Sequence, residues 1–200
     1  MPILCAVRYF LPVASEGKIL SDERYGDILV DTMELTRPVQ AGDRAPALSL
    51  KDQNDKLFTL SDQHTEKTLL SFHPLAWTHV CAEQMRSLEE NFSAFRNLNT
   101  LPVGISIDAV PCKKAWAEHL MLQDLRILAD FWPHGNVARE FGIFRDANGF
   151  SERANIIVDG NGMVIFAKVY PLHTLPDINE ILAFLKSPAA GQQKATPLPH

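Results

Sequence analysis

Residues 68–95 read TLLSFHPLAWTHVCAEQMRSLEENFSAF, and two different periods meet inside that stretch. Residues 68–72 form a short apolar run that closes at Pro74, the length and composition of a buried strand. From Cys81 onward the apolar side chains recur as Cys81, Met85, Leu88, Phe92 and Phe95, at steps of four, three, four and three. Glu83, Arg86, Glu89, Glu90 and Arg96 fall between them, which predicts a single amphipathic helix with one buried stripe.

The same reading extends in both directions. Downstream, residues 101–107 predict the next strand, and residues 111–120 a second helix with Pro111 at its start. Residues 134–141 predict a third helix, stopped by Gly142. Residues 154–158 and 163–169 predict strands joined by Asp159-Gly160-Asn161-Gly162, an explicit hairpin turn. Ile178, Ile181, Leu182 and Leu185 mark the stripe of a closing helix entered through Pro176. Upstream, residues 47–50 and 57–60 flank Gln53-Asn54-Asp55 as a hairpin. This order of strands and helices, with strand–helix–strand crossovers, implies an α/β protein with a mixed central sheet and helices on both faces. Periodicity establishes the α/β class, and a thioredoxin-like fold fits the order.

Around this body, residues 1–40 read as an N-terminal extension punctuated by Pro2, Pro12 and Pro38, with short strands at 28–30 and 33–35. Residues 187–200 lose apolar periodicity and read as a flexible tail, which leaves 41–186 as the domain. Hydrophobic residues make up 46% of the 200 and charged residues 22%, proportions that exclude disorder along the whole length. A formal net charge of -5 gives no electrostatic ground for nucleic-acid or anionic-membrane binding. No apolar run has the length of a membrane span. The first fifteen residues lack a basic n-region, and Arg8 and Pro12 interrupt their apolar stretch, against a secretion signal. Three scattered cysteines, Cys5, Cys81 and Cys112, do not make a disulfide framework, and the expected compartment is the reducing cytoplasm.

Chemistry concentrates where the quoted strand becomes the helix. A cysteine in a helix's first turn faces unpaired backbone N–H groups and the positive end of the helix dipole. Both favour thiolate, the nucleophilic form. Cys81 also belongs to the apolar stripe, and a lone buried cysteine is more often an inert core thiol. Three neighbours shift that balance. Thr78 precedes Cys81 by three residues, where its hydroxyl can turn to the sulfur or a ligand oxygen, although such a Thr commonly serves as an N-cap. Pro74 can shield the sulfur from water. Arg153, just before the strand at 154–158, can hold an anion and a ligand oxygen together, although an Arg at a strand start is by default a solvated charge.

Pro74-x-x-x-Thr78-x-x-Cys81 resembles the P-x-x-x-[TS]-x-x-C signature of the peroxiredoxins. Arg153-Ala-Asn-Ile-Ile-Val-Asp resembles that family's Arg-led strand, and Gly42-Asp43-Arg44-Ala45-Pro46 resembles its G-x-x-A-P opening. PLAWTHVC at 74–81 and DFWPHGNVAREFGIF at 130–144 look most like the AhpE-type alkyl hydroperoxide reductases. The resemblance spans about 42–186. It implies a thiol peroxidase reducing hydrogen peroxide or organic hydroperoxides, with Cys81 as the peroxidatic residue that becomes sulfenic acid and Thr78, Arg153 and Pro74 completing the catalytic set. It also implies an external thiol reductant (thioredoxin, glutaredoxin or a low-molecular-weight thiol) and a homodimer, and no cofactor. Other peroxiredoxins keep a resolving cysteine in the next helix, which makes Cys112 a candidate, with Lys113 and Lys114 placed to help hold its thiolate. Cys112 is equally in line with Trp116 and Leu120 as a core residue. Cys5 is a third, more incidental thiol.

The remaining signals are weaker. Seven histidines, His73 and His79 among them, show no zinc-like spacing, so no metal is expected. Phe131-Trp132-Pro133-His134-Gly135 reads as aromatic packing beside the active-site loop or at a subunit contact before it reads as a substrate platform. A thiol–disulfide oxidoreductase needs C-x-x-C, and Thr78 occupies the place of the first cysteine. A non-catalytic redox-sensing or binding module on the same fold has no reason to keep Pro74, Thr78, Cys81 and Arg153 together.

Overall fold

The computed structural model describes residues 37–63 and 67–191. Strands expected at 28–30 and 33–35, most of the extension, Cys5 and residues 192–200 of the tail lie outside the described residues. At the centre is β3 (Lys67–Phe72), the apolar run of the quoted stretch, with every residue buried. It pairs in parallel with β4 (Thr100–Ser106) and antiparallel with β8 (Arg153–Asp159). The full sheet adds β1 (Ser49–Asp52), β2 (Leu57–Thr59), β5 (Arg126–Ala129) and β9 (Val164–Tyr170) in the order β2-β1-β5-β4-β3-β8-β9.

Residues along β3 and β8 alternate between two cores, as the period of a strand requires. Leu69 and Ile157 point into one with α1 (His79–Glu90), α2 (Phe92–Asn97), α3 (Val110–Leu120) and α5 (Ile178–Lys186). Leu70, Phe72, Ala154, Ile156 and Val158 point into the other with α4 (Asn136–Glu140). The mixed sheet with helices on both faces, a thioredoxin-like fold, is therefore what the order of elements implied. Val39 is buried in the second core and its amide donates to the Phe141 carbonyl at 3.1 Å.

Three local features differ from expectation. The single helix predicted through Phe95 is two: Asn91 interrupts it, its side chain donating back to the Ser87 carbonyl at 2.9 Å, the local competition that Asn offers a helix. Strand β5 was missed, because four residues with no alternation are equally readable as the end of a helix or a loop. It matters to the topology, since it joins β4 in parallel and β1 antiparallel and so ties the β1–β2 hairpin to the centre. A two-stranded ribbon of β6 (Phe144–Arg145) and β7 (Phe150–Ser151) follows α4. The hairpin turn at 159–162 forms as read, with Asp159 Oδ1 accepting from the Asn161 and Met163 amides at 2.9 and 2.8 Å. Among the described residues no helix is long and apolar enough to cross a membrane.

Candidate active site

Cys81 lies in the first turn of α1 and has no solvent exposure. Strand β8 runs antiparallel beside β3, which puts its first residue, Arg153, level with the point where β3 gives way to the loop before α1. The buried guanidinium donates from Nη2 to Cys81 Sγ at 3.3 Å. Leu172 fixes it from the other side, its carbonyl accepting from Nε at 3.1 Å and Nη2 at 2.9 Å. Nη1 donates to Gln84 Oε1. Gln84 is one helical turn after Cys81, on the same face of α1. Its Nε2 donates to Ser71 Oγ at 2.7 Å and to the Phe72 carbonyl at 3.3 Å. Ser71 in turn donates to Asn155 Oδ1 at 2.7 Å. A buried polar chain, Arg153–Gln84–Ser71–Asn155, thus runs from the sulfur across β3 to β8 and holds the guanidinium in one place.

Pro74 is buried at the end of β3. Thr78 occupies the N-cap position but makes no capping bond; it is exposed and its hydroxyl donates to the Leu75 carbonyl at 3.0 Å. Trp77, with φ 64 in the left-handed region, is exposed and packs against His119 at 5.1 Å. Phe131 and Trp132 are also exposed, so the aromatic segment does not bury its rings within this chain. Cys112 is partly buried at the edge of the core that contains Cys81, its thiol donating to Asp108 Oδ1 at 3.9 Å. Both described cysteines are free. Asp108 also accepts from the Ala76 amide at 2.8 Å and from Ser106 Oγ at 2.5 Å, and so ties the loop before α1 to the loop after β4.

Gln84, Ser71 and Asn155 were not picked out from the sequence as parts of the site, His73 was weighed only as one of the histidines without metal spacing, and Lys113 only as a neighbour of the Cys112 thiolate. The phase of the helix was the available signal for Gln84, since positions 81, 84, 85 and 88 share one face. Ser71 and Asn155 sit at inward-pointing strand positions, where a polar residue among apolar ones needs a partner. His73 is fully buried, with its ring 5.2 Å from that of Trp116 and Nε2 3.3 Å from Lys113 Nζ. Burial, then the positive charges of Lys113 and Arg153, push its pKa well below the usual imidazole value, so the ring is neutral. Lys113, expected to lie by Cys112, turns inward, and burial lowers its pKa to about 8 against the opposing pull of Asp108, Cys112, Cys81 and Asp130. Among the described residues no group of three or more His, Cys, Asp and Glu side chains is arranged to hold a metal ion.

Residues 41–167, which contain both the cysteine at the helix start and the buried arginine that touches it, match the AhpC/TSA family. The chain belongs to the AhpC/TSA family of peroxiredoxins. Over 132 residues it is 34% identical to alkyl hydroperoxide reductase E of Mycobacterium tuberculosis, covering 66% of this chain and 86% of that one. A peroxiredoxin of Thermoplasma volcanium is 30% identical over 155 residues, 75% of each chain. Among solved structures, the peroxidoxin BcpB of Mycobacterium tuberculosis superposes with a TM-score of 0.66 at 24% identity, over 74% of this chain and 97% of that one. AhpC from the same organism gives 0.68 at 20% identity, over 78% and 99%, and both show the common fold. This peroxiredoxin is a thiol peroxidase acting through a buried reactive cysteine.

Proposed function

We propose that Cys81 is that cysteine and that it reduces hydrogen peroxide or an organic hydroperoxide ROOH. The thiolate attacks the terminal peroxide oxygen, the O–O bond breaks, the sulfur is oxidised to sulfenic acid, and the departing alkoxide takes up one proton to leave as ROH. The contact between Arg153 Nη2 and Cys81 Sγ, 3.3 Å, is the observation that carries the assignment. A guanidinium held by three neighbouring acceptors is in place to stabilise the charge that moves from sulfur to leaving oxygen. Thr78 supplies a hydroxyl whose lone pairs accept the peroxide O–H, while Pro74 keeps water from the sulfur. Peroxide consumption with dithiothreitol as reductant tests this: Cys81→Ser is expected to abolish it, and a Cys81→Ser protein that still turns over ends the assignment.

We assign Cys112 as the resolving thiol, condensing with the sulfenic acid to a disulfide and releasing water, after which an external thiol (thioredoxin, glutaredoxin or a low-molecular-weight thiol) restores both cysteines. A disulfide brings Cα atoms within about 7 Å, and the proposed step includes local unwinding of the first turn of α1, where Cys81 has no solvent exposure. Non-reducing mass spectrometry after one equivalent of peroxide is expected to find a Cys81–Cys112 cross-link; sulfenic acid persisting beside free Cys112 defeats it. The catalytic domain is taken as 41–186, supported at its start by the family match, with 1–40 as extension and 187–200 as tail. A cytoplasmic homodimer completes the reading. The absence of C-x-x-C supports a peroxidase over a thiol–disulfide exchanger.

A further inference from the structure

Lys113, in the first turn of α3, has no solvent exposure. Its one hydrogen-bond partner among the described residues is His73 Nε2, at 3.3 Å, and the neutral imidazole accepts from the ammonium. No carboxylate lies within ion-pairing distance among the described residues. Arg153, buried beside the sulfur, is in the same condition: besides the sulfur, its acceptors are Gln84 Oε1 and the Leu172 carbonyl, both neutral. The nearby carboxylates are engaged elsewhere. Asp130 accepts from the Val137 and Ala138 amides at 3.1 and 2.9 Å, and Asp108 from Ala76, Ser106 and Cys112. Two buried positive charges therefore share a site with the Cys81 sulfur, and Lys113, which no carboxylate hydrogen-bonds, is acted on there by Asp108, Cys112, Cys81 and Asp130. A buried charge without a close counter-charge lowers stability, and an apolar side chain of similar length usually improves it. What such a lysine costs the fold is commonly tied to function.

We propose that Lys113 is a positioning residue for the peroxide step, its ammonium, seated on His73, adding a second buried positive charge to that of Arg153 and favouring negative charge on the Cys81 sulfur. The proposal rests on Cys81 being the nucleophile. The groups facing Lys113 come from every neighbouring element: His73 at the end of β3, Cys81 on α1, Asp108 after β4, Cys112 on its own helix and Asp130 after β5. Arg153 on β8 faces the same imidazole.

The test uses the full chain carrying Cys5→Ser and Cys112→Ser, so that Cys81 is the sole thiol, and measures its alkylation by iodoacetamide across pH. Lys113→Met is expected to move that profile to higher pH by about one unit, roughly tenfold slower alkylation on the acidic limb. A profile that stays in place while the protein remains folded overturns the proposal. Should Lys113→Met fail to fold, the coupling is read from the other side, because it is reciprocal. The side-chain NMR signals of Lys113 are titrated with Cys81 and with Cys81→Ser. Loss of the thiol is expected to let Lys113 give up its proton at lower pH, and identical titrations overturn the proposal. Peroxide turnover by Cys81→Ser in the parent chain reports on the identity of the nucleophile instead, so the two readings fail separately.

Discussion

Arg153 reaches the sulfur because its guanidinium is held at three corners, by Leu172, by Gln84 and by Cys81 itself. In the proposed reaction, charge that develops on the leaving oxygen meets a donor that needs no reorganisation. Arg153→Ala is expected to slow the rapid-mixing rate with hydrogen peroxide by on the order of 10²–10³, the usual cost of one such donor. Thr78→Val, which keeps the shape and removes the hydroxyl, is expected to slow the same step by a comparable factor. A loss of less than about threefold in either variant would remove that residue from the proposed set. At this scale Cys81 and Arg153 were legible because their positions, a helix start and a strand start, follow from local patterns. Lys113 and His73 were not. They stand 40 residues apart, and a lysine beside Cys112 reads as a partner of that thiol until the fold turns it inward onto His73.

Among the elements, α4 shows how a short helix is held at both ends. Asp130 accepts from two of its first amides, Val137 and Ala138, and burial against those bonds leaves the carboxyl pKa raised to about 6. At the other end Gly142 takes φ +69, and a Cβ built there would meet the Arg37 carbonyl oxygen at 2.0 Å. Gly142→Ala should therefore cost the roughly 1–2 kcal/mol of a left-handed alanine and more for the collision. Urea unfolding is expected to show it as a lower midpoint at unchanged slope, and an unchanged midpoint would contradict the packing of residues 37–38 on α4. That glycine was readable as a helix stop from sequence. The backbone pressed against it was not, since residues 37 and 142 meet only in the folded chain. The break at Asn91 escaped for a related reason: the apolar stripe runs on in phase through it, and only the Asn91 side chain on Ser87 marks the interruption.

For the molecule as a whole, Lys113 also sets a pH dependence of stability. Its folded-state pKa of about 8 lies below the ordinary 10.5, so between these values the unfolded chain holds a proton that the folded one has released. Stability then rises with pH across that window, and below it the full penalty applies, on the order of 3–4 kcal/mol at about 1.4 kcal/mol per unit. Lys113→Met is expected to be more stable than the parent at pH 7, with the advantage shrinking as pH climbs from 8 toward 10.5; denaturation midpoints of the two proteins across that range are the check. Stability gained with reactivity lost would mark a residue kept for chemistry. The division of labour in this chain follows the range of the forces involved. Strand and helix periods, turn chemistry and the cysteine at a helix start are local, and they were enough for the α/β order and for singling out Cys81 and Arg153, which the fold brings into contact. Strand β5, the chain of Gln84, Ser71 and Asn155, and the buried ammonium on His73 depend on which segments lie side by side. Burial and charge balance are properties of that assembled interior, where residues far apart along the chain share one low-dielectric volume.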